Sequence, residues 1–356
     1  MNSRRRTVSW LGLSVVAAAV LAVAACGGSG SSSSDDTFYG SDATDSPTPI
    51  ASLVDTNPPA TPMPVNGSAL PTIQPAQSGT VIAWGDDSEG QIDVPDGLSG
   101  VVAVAAGDNF SAALKSDGTV VAWGSDDSGE SEVPAGLTGV KQIAAGGSFG
   151  IALKSDGSLV GWGDNTSAQL TMPSGLNGIV KVAAGGSHVL ALKSDGTVVA
   201  WGSDSGGEID VPSGLSNVVD ISAGYDFSMA LKKDGTIVAW GNKFPTDGAP
   251  STVKIPAGLT GITGISAGYF HALAVRADGT VVGWGTDNNG ETNTPSGLKA
   301  VEVAAGGDMS VAIRPDGTLT AWGGDDSGEA TVPGSPSNVV AIACGGTHTL
   351  AIVASK

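Results

Sequence analysis

Residues 119–157 read TVVAWGSDDSGESEVPAGLTGVKQIAAGGSFGIALKSDG, and this pattern recurs from residue 78 to the end of the chain. Its Trp-Gly landmark falls at Trp84, Trp123, Trp162, Trp201, Trp240, Trp284 and Trp322, at spacings of 39, 39, 39, 39, 44 and 38 residues. A second landmark is the Gly that follows Ala-Ala, Ser-Ala or, in the last copy, Ala-Cys. It recurs at Gly107, Gly146, Gly185, Gly224, Gly268, Gly306 and Gly345. Self-similarity near 40 residues signals a propeller or a solenoid.

Within one copy, VVAVAA (101–106), SAALK (111–115) and TVVAW (119–123) read as strands, the last two joined by Ser116-Asp117-Gly118. Asp-Gly between apolar alternations marks a hairpin, because Gly takes positive φ at no steric cost. A fourth, less regular segment ends at Val-Pro, as in EVP (132–134), and helical patterning is absent. The ends decide between ring and rod. The first patterned piece, SGTVIAWG (78–85), lacks the two strands that normally precede it, and the last, VVAIACGGTHTLAIVASK (339–356), lacks what normally follows. Together they make one repeat, and joining them removes two sheet edges that a solenoid would have to cap. The expected fold is all-β, a seven-bladed β-propeller over 78–356 with six continuous blades and a composite closing blade formed by the N- and C-terminal strands. The Ala- and Gly-rich strand should be innermost. The Trp rings should pack between blades, each burying about 150–250 Å².

Residues 1–25 read as an export signal: Arg4 to Arg6 form the charged region and Trp10 to Ala22 an apolar stretch too short for a membrane span. The signal ends LAVAAC, which resembles the lipobox of bacterial lipoproteins and implies lipidation of Cys26 and a place on the cell envelope. Residues 26–77, rich in Ser, Pro and Asp, read as a disordered tether. Fifty such residues would span roughly 40 Å root-mean-square. All 35 Asp and Glu follow Cys26, whereas three of the 16 Lys and Arg precede it, so nucleic acid is a poor partner for the remainder. Cys344 is the one Cys after residue 26, so no disulfide forms within the propeller, and it stands where other copies have Ala.

The 119–157 unit is similar to the repeat of the regulator-of-chromosome-condensation superfamily, which shares the Trp-Gly, Gly-Gln, Ala-Ala-Gly-x-x-His and Ala-Leu-x-x-Asp-Gly landmarks. The resemblance covers 78–356 and implies a seven-bladed propeller with a shared closing blade. The short units WGDDSEGQIDVP (84–95) and WGDNTSAQLTMP (162–173) are most similar to those of the secreted bacterial β-lactamase-inhibitory propellers. That likeness implies, as an alternative function, inhibition of class A β-lactamases or another secreted enzyme. Target-facing aromatic residues would then be expected at the middle of each turn, where this chain has Asn109, Ser148, Ser187, Asp226, Phe270, Asp308 and Thr347. The superfamily also includes nucleotide-exchange factors, but the protruding wedge of the nuclear one has no equivalent here.

Chemistry is hard to find. His188, His271 and His348 share one repeat position with Phe110, Phe149, Phe227 and Met309. A position that accepts His, Phe and Met is a packing position rather than a metal ligand. The acids after Trp-Gly, among them Asp86, Asp126, Glu130, Glu208, Glu291 and Glu329, lack calcium-loop spacing and read as solvated turn residues. No catalytic residue, cofactor or metal is expected.

The turns between the first two strands of each copy vary while their flanks do not, and variation on one face of a repeat scaffold presents a binding surface. The expected partner-binding face comprises Asn109, Phe110, Tyr225, Asp226, Phe227, Tyr269, Phe270, His271 and Asp308. The five-residue insertion in 242–256, with Lys243, Phe244 and Lys254, offers a second patch. The expectation is a monomeric, envelope-anchored, non-catalytic scaffold for a protein partner. A glycan-binding or hydrolytic propeller is the further alternative.

Overall fold

A computed structural model describes residues 78–241 and 254–355. The export signal, Cys26, the tether, Lys243 and Phe244 lie outside the described residues. Among those described, no helix is long and apolar enough to cross a membrane.

Among the described residues, twenty-one strands build seven three-stranded antiparallel blades, of which the last and the first are joined through β1 (Gly79–Gly85) and β2 (Val101–Ala106). Strand β1 belongs to the last blade. Blade one is β2 (Val101–Ala106), β3 (Phe110–Lys115) and β4 (Val120–Gly124); blade two is β5 (Val140–Ala145), β6 (Phe149–Lys154) and β7 (Leu159–Gly163). Blade three is β8 (Ile179–Ala184), β9 (His188–Lys193) and β10 (Val198–Gly202); blade four is β11 (Val218–Ala223), β12 (Phe227–Lys232) and β13 (Ile237–Gly241). Blade five is β14 (Ile262–Ala267), β15 (His271–Arg276) and β16 (Val281–Gly285); blade six is β17 (Glu302–Ala305), β18 (Met309–Ile313) and β19 (Leu319–Gly323). Blade seven is β20 (Val339–Cys344), β21 (His348–Ala354) and β1. Here β1 pairs with β21 in unbroken register from Gly79↔Ala354 to Gly85↔His348. The closing blade is therefore the composite the chain ends foretold. The fourth segment is loop, not strand, in each described copy.

The core is divided among the blade interfaces. Seven buried clusters each draw on two adjacent blades, and each holds one Trp: Phe227 and Met229 of blade four, for instance, pack with Ala272, Ala274 and Trp284 of blade five. The indole also fastens the blade to its predecessor. Trp123 Nε1 donates to the Gln91 carbonyl at 3.0 Å, Trp162 to Glu130 at 2.8 Å, and Trp84 closes the ring on Glu329 at 2.9 Å.

Innermost, the landmark glycines are in near contact around the axis. A β-carbon at Gly185 would stand 2.3 Å from the Gly224 carbonyl oxygen, one at Gly224 2.5 Å from Gly268, and one at Gly345 2.3 Å from Gly107. Backbone there cannot retreat without shifting a whole blade, so the position excludes every side chain.

Two faces result. The turns after the innermost strands and the loops after Trp-Gly share one face, here the upper: Ser125 N–H donates to the Asn109 carbonyl at 2.9 Å, and Thr286 to Phe270 at 2.8 Å. The Asp-Gly hairpins form the lower face, where Val140 N–H donates to Gly118 at 3.2 Å.

Candidate binding face at the channel mouth

The upper turns surround the mouth of the central channel. Their first position is Gly147, Gly186, Gly307 and Gly346 in four blades and Asp108, Tyr225 and Tyr269 in the others. The glycines make room for the three large side chains. A β-carbon at Gly186 would meet the Tyr225 ring at 3.0 Å, one at Gly346 the Tyr269 hydroxyl at 2.7 Å, and one at Gly147 the Asp108 carboxylate at 3.2 Å. From blade five, the Tyr269 hydroxyl reaches over the mouth and donates a hydrogen bond to Asp108 of blade one. Beneath lies a well of about 90 Å³ walled by the Ala and Gly of all seven turns.

Tyr225, Tyr269 and Phe270 form an aromatic cluster with ring centroids 5.1, 5.9 and 6.3 Å apart. Tyr225 is 39% exposed and Phe270 41%, whereas Tyr269 is half-buried. Asn109 and Asp308 are exposed, and Asp226 is half-buried. Burial pushes the Asp108 carboxyl above its ordinary value against the Tyr269 hydrogen bond. Burial, reinforced by Glu208, does the same to Asp226. Tyr225 and Tyr269 are both held protonated, by burial first and the Asp108 charge second.

Three expected face residues are not on the face. Phe110, Phe227 and His271 are 0%, 0% and 1% exposed. The reason is the turn itself: Gly107 N–H donates to the Phe110 carbonyl at 2.9 Å, and Gly268 to His271 at 2.9 Å, so the third turn residue begins the second strand and points inward. A β-carbon on Gly107 would lie 2.2 Å from the Phe110 ring, which tucks beneath it. Asp108 is the mouth residue that sequence reasoning missed. The signal was a bulky residue at a position that is Gly in four other blades.

The histidines are packing residues. His188, His271 and His348 are buried, and Nε2 of each pairs with a Ser Oγ of the next blade, at Ser228, Ser310 and Ser111 and 3.0, 3.0 and 2.9 Å. Each Ser Oγ spends its own proton on a carbonyl, Ser228 on Glu208 at 2.7 Å. The Ser therefore accepts from Nε2–H, and Nδ1 is left without a partner. Burial pulls all three down to about 4. Among the described residues no cluster of His, Cys, Asp or Glu could hold a metal. Cys344 Sγ points to the Ala304 carbonyl at 3.7 Å, and burial pushes its thiol up to about 12, which removes thiolate chemistry at neutral pH.

The acidic loops need a second correction. Glu130, Glu208, Glu291 and Glu329 are not solvated: they are 3%, 1%, 1% and 6% exposed, like their counterparts Gln91 and Gln169 at 0%. Each reaches back to a loop N–H, as Ser128 N–H donates to Glu130 at 2.7 Å. Amide and acid alternate by partner. Where Asp follows Trp-Gly, the buried residue is Gln: Gln91 donates to Asp86 at 2.9 Å and Gln169 to Asp164 at 2.7 Å. Where Ser follows, it is Glu, and Ser125 donates to Glu130 at 2.7 Å.

The architecture defines a class, a closed seven-bladed propeller with its variable residues gathered at one channel mouth. The regulator of chromosome condensation (RCC1) repeat model matches residues 101–130, 140–169, 179–208, 218–243 and 262–291, and the chain belongs to the RCC1-repeat superfamily. Prp20p from Saccharomyces cerevisiae is 21% identical with a TM-score of 0.66, over 79% of this chain and 92% of that one. Human WBSCR16 is 17% identical with a TM-score of 0.64, over 77% and 100%. The ectodomain of the Arabidopsis thaliana receptor kinase ACR4 is 20% identical with a TM-score of 0.56, over 71% and 93%. At these identities the likeness is one of fold. No curated protein matches the chain in sequence.

Proposed function

We propose that this chain is a non-catalytic binding module, tethered to the bacterial cell envelope through Cys26, that receives a protein partner on its upper face. The observation that carries the reading is the exposure of Tyr225 and Phe270 beside the channel mouth, on a fold that buries its seven repeat Trp and Phe110, Phe149 and Phe227 between blades. Tyr is among the residues that most often anchor a partner, and Tyr and Phe are both enriched at the cores of interfaces. The solved relatives point the same way: Prp20p is described with binding properties to Gsp1p and histones, and also in complex with Kap60.

The test is site-specific photocrosslinking in intact cells, with the reactive group at Phe270 on the upper face or at Lys233 on the lower. Adducts from Phe270 alone fit the reading, and adducts from Lys233 alone overturn it. Cys26→Ala should move the protein from the membrane to the soluble fraction, and unchanged membrane recovery would remove the anchor from the proposal.

A further inference from the structure

We propose that the upper face recognises a cationic polypeptide segment, seating a Lys or Arg side chain beside Tyr225 and Phe270 at the channel mouth. The inference rests on the binding role given to that face above and adds the chemistry of the partner. Charge supplies the first argument. The seven upper turns contain no Lys or Arg, and neither do the loops 85–93, 124–132, 163–171, 202–210, 285–293 and 323–331, although all six carry Asp; the seventh loop, 241–254, has an exposed Lys254, and its Lys243 lies outside the described residues. On the lower face, by contrast, Lys is set against Asp at each of several hairpins, as at Lys115–Asp117 and Lys193–Asp195, both 3.1 Å. Outside the 241–254 loop the described upper face is therefore negative, and such a field draws oppositely charged partners while repelling anionic ones.

Aromatic geometry supplies the second argument. Tyr225 and Phe270, 5.9 Å apart and inclined at 49°, turn exposed ring surface toward the same solvent. A cation over such a ring gains about 0.5–2 kcal/mol. Asp226 directly precedes the inward-turning Phe227 of the same turn, and Asp108 sits under Tyr269, so carboxylates flank the rings at short range. Both carboxylates are partly buried and, among the described residues, have no cation acting on them, which is the setting in which an incoming ammonium or guanidinium group recovers the most. The well of about 90 Å³, bordered by Asp108, Tyr225 and Tyr269, would accept the head of one side chain and little more, which favours a linear cationic segment.

The experiment uses the full chain and a fluorescent peptide of alternating Gly and Arg, with a Gly-citrulline peptide of the same length as the uncharged match. The expected result is saturable anisotropy for the Arg peptide, at least about tenfold weaker for citrulline and for Tyr225→Ala/Phe270→Ala. Asp226→Asn/Asp308→Asn should weaken it similarly, and Asp117→Asn/Asp156→Asn, which removes equal charge from the lower face, should not. Equal binding of the citrulline peptide, equal loss with the lower-face pair, or no binding at millimolar peptide overturns the proposal. If Phe270 crosslinks persist in cells while the Arg peptide fails, the cationic partner falls and the binding face stands. If both fail, the face itself is misassigned.

Discussion

Ala168 holds φ at 60°, in the loop position that is Gly90, Gly129, Gly207, Gly290 and Gly328 in other copies. A β-carbon is disfavoured in the left-handed region by about 1–2 kcal/mol. Ala168→Gly should therefore stabilise the fold by about 0.5–1 kcal/mol after the entropy of glycine is subtracted, read as a higher denaturant midpoint at unchanged slope. The neighbouring Gln169 gives the opposite case. Its Nε2 donates to Asp164, and Gln169→Glu would set two carboxylates against each other in a buried site, at a cost of about 1–3 kcal/mol. Adding Asp164→Ser would recreate the Ser125–Glu130 pair and should recover most of that loss; no recovery would show that the alternation of Gln and Glu has another cause.

Blade interfaces are the next scale, and here the buried histidines set an acid limit. Each His titrates near 6.5 unfolded and about 4 folded, so the unfolded chain binds more protons between those values. Stability is therefore complete above pH 6.5 and is lost as pH falls toward 4, by up to about 3 kcal/mol per histidine. Glu302, crowded by the channel wall yet open to its solvent, is pushed up to about 7 and works in the opposite sense, screened and outnumbered three to one. Thermal midpoints should fall steeply between pH 6.5 and 4. His188→Phe with Ser228→Ala copies the Phe227 and Ala272 neighbours of one cluster, and should shrink the fall by about a third. His188→Phe alone should destabilise, since the ring would press on the Ser228 hydroxyl. This scale also separates what the sequence disclosed from what it hid. Spacing revealed every blade, because Trp and Gly recur for reasons repeated in each interface. It misplaced Phe110, Phe227 and His271, because a turn residue looks exposed until the hydrogen bond that ends the turn is known. The apolar or His character of that third position in all seven copies, against varied residues at the second, was the available clue. Buried Glu208 was hidden for another reason: in a list of residues, a carboxylate fed by N–H donors looks the same as a solvated one.

For the molecule as a whole, the mouth and the seam lie at different places. The upper face carries the variable residues, while the chain enters β1 and leaves β21 at the lower end, with Gly79 opposite Ala354. That seam falls where every other blade has an x-Asp-Gly hairpin, with Ser, Lys, Ala or Pro at x. Blade seven differs from the others in the missing link and in one added bridge, Gly79↔Val101, through which β1 also pairs with β2 of blade one. A permuted chain that joins Ala354 to Gly79 through Ser-Asp-Gly and begins instead at Ser158, with Ser155-Asp156-Gly157 cut, should fold and melt within a few degrees of the parent. An unfolded product would mean that β1 and β21 must meet last. If the permutant folds, the propeller behaves as a bracelet whose clasp can be moved: a fusion partner, a label or a surface anchor can be attached behind any of the seven blades, each choice turning the same mouth toward a different bearing.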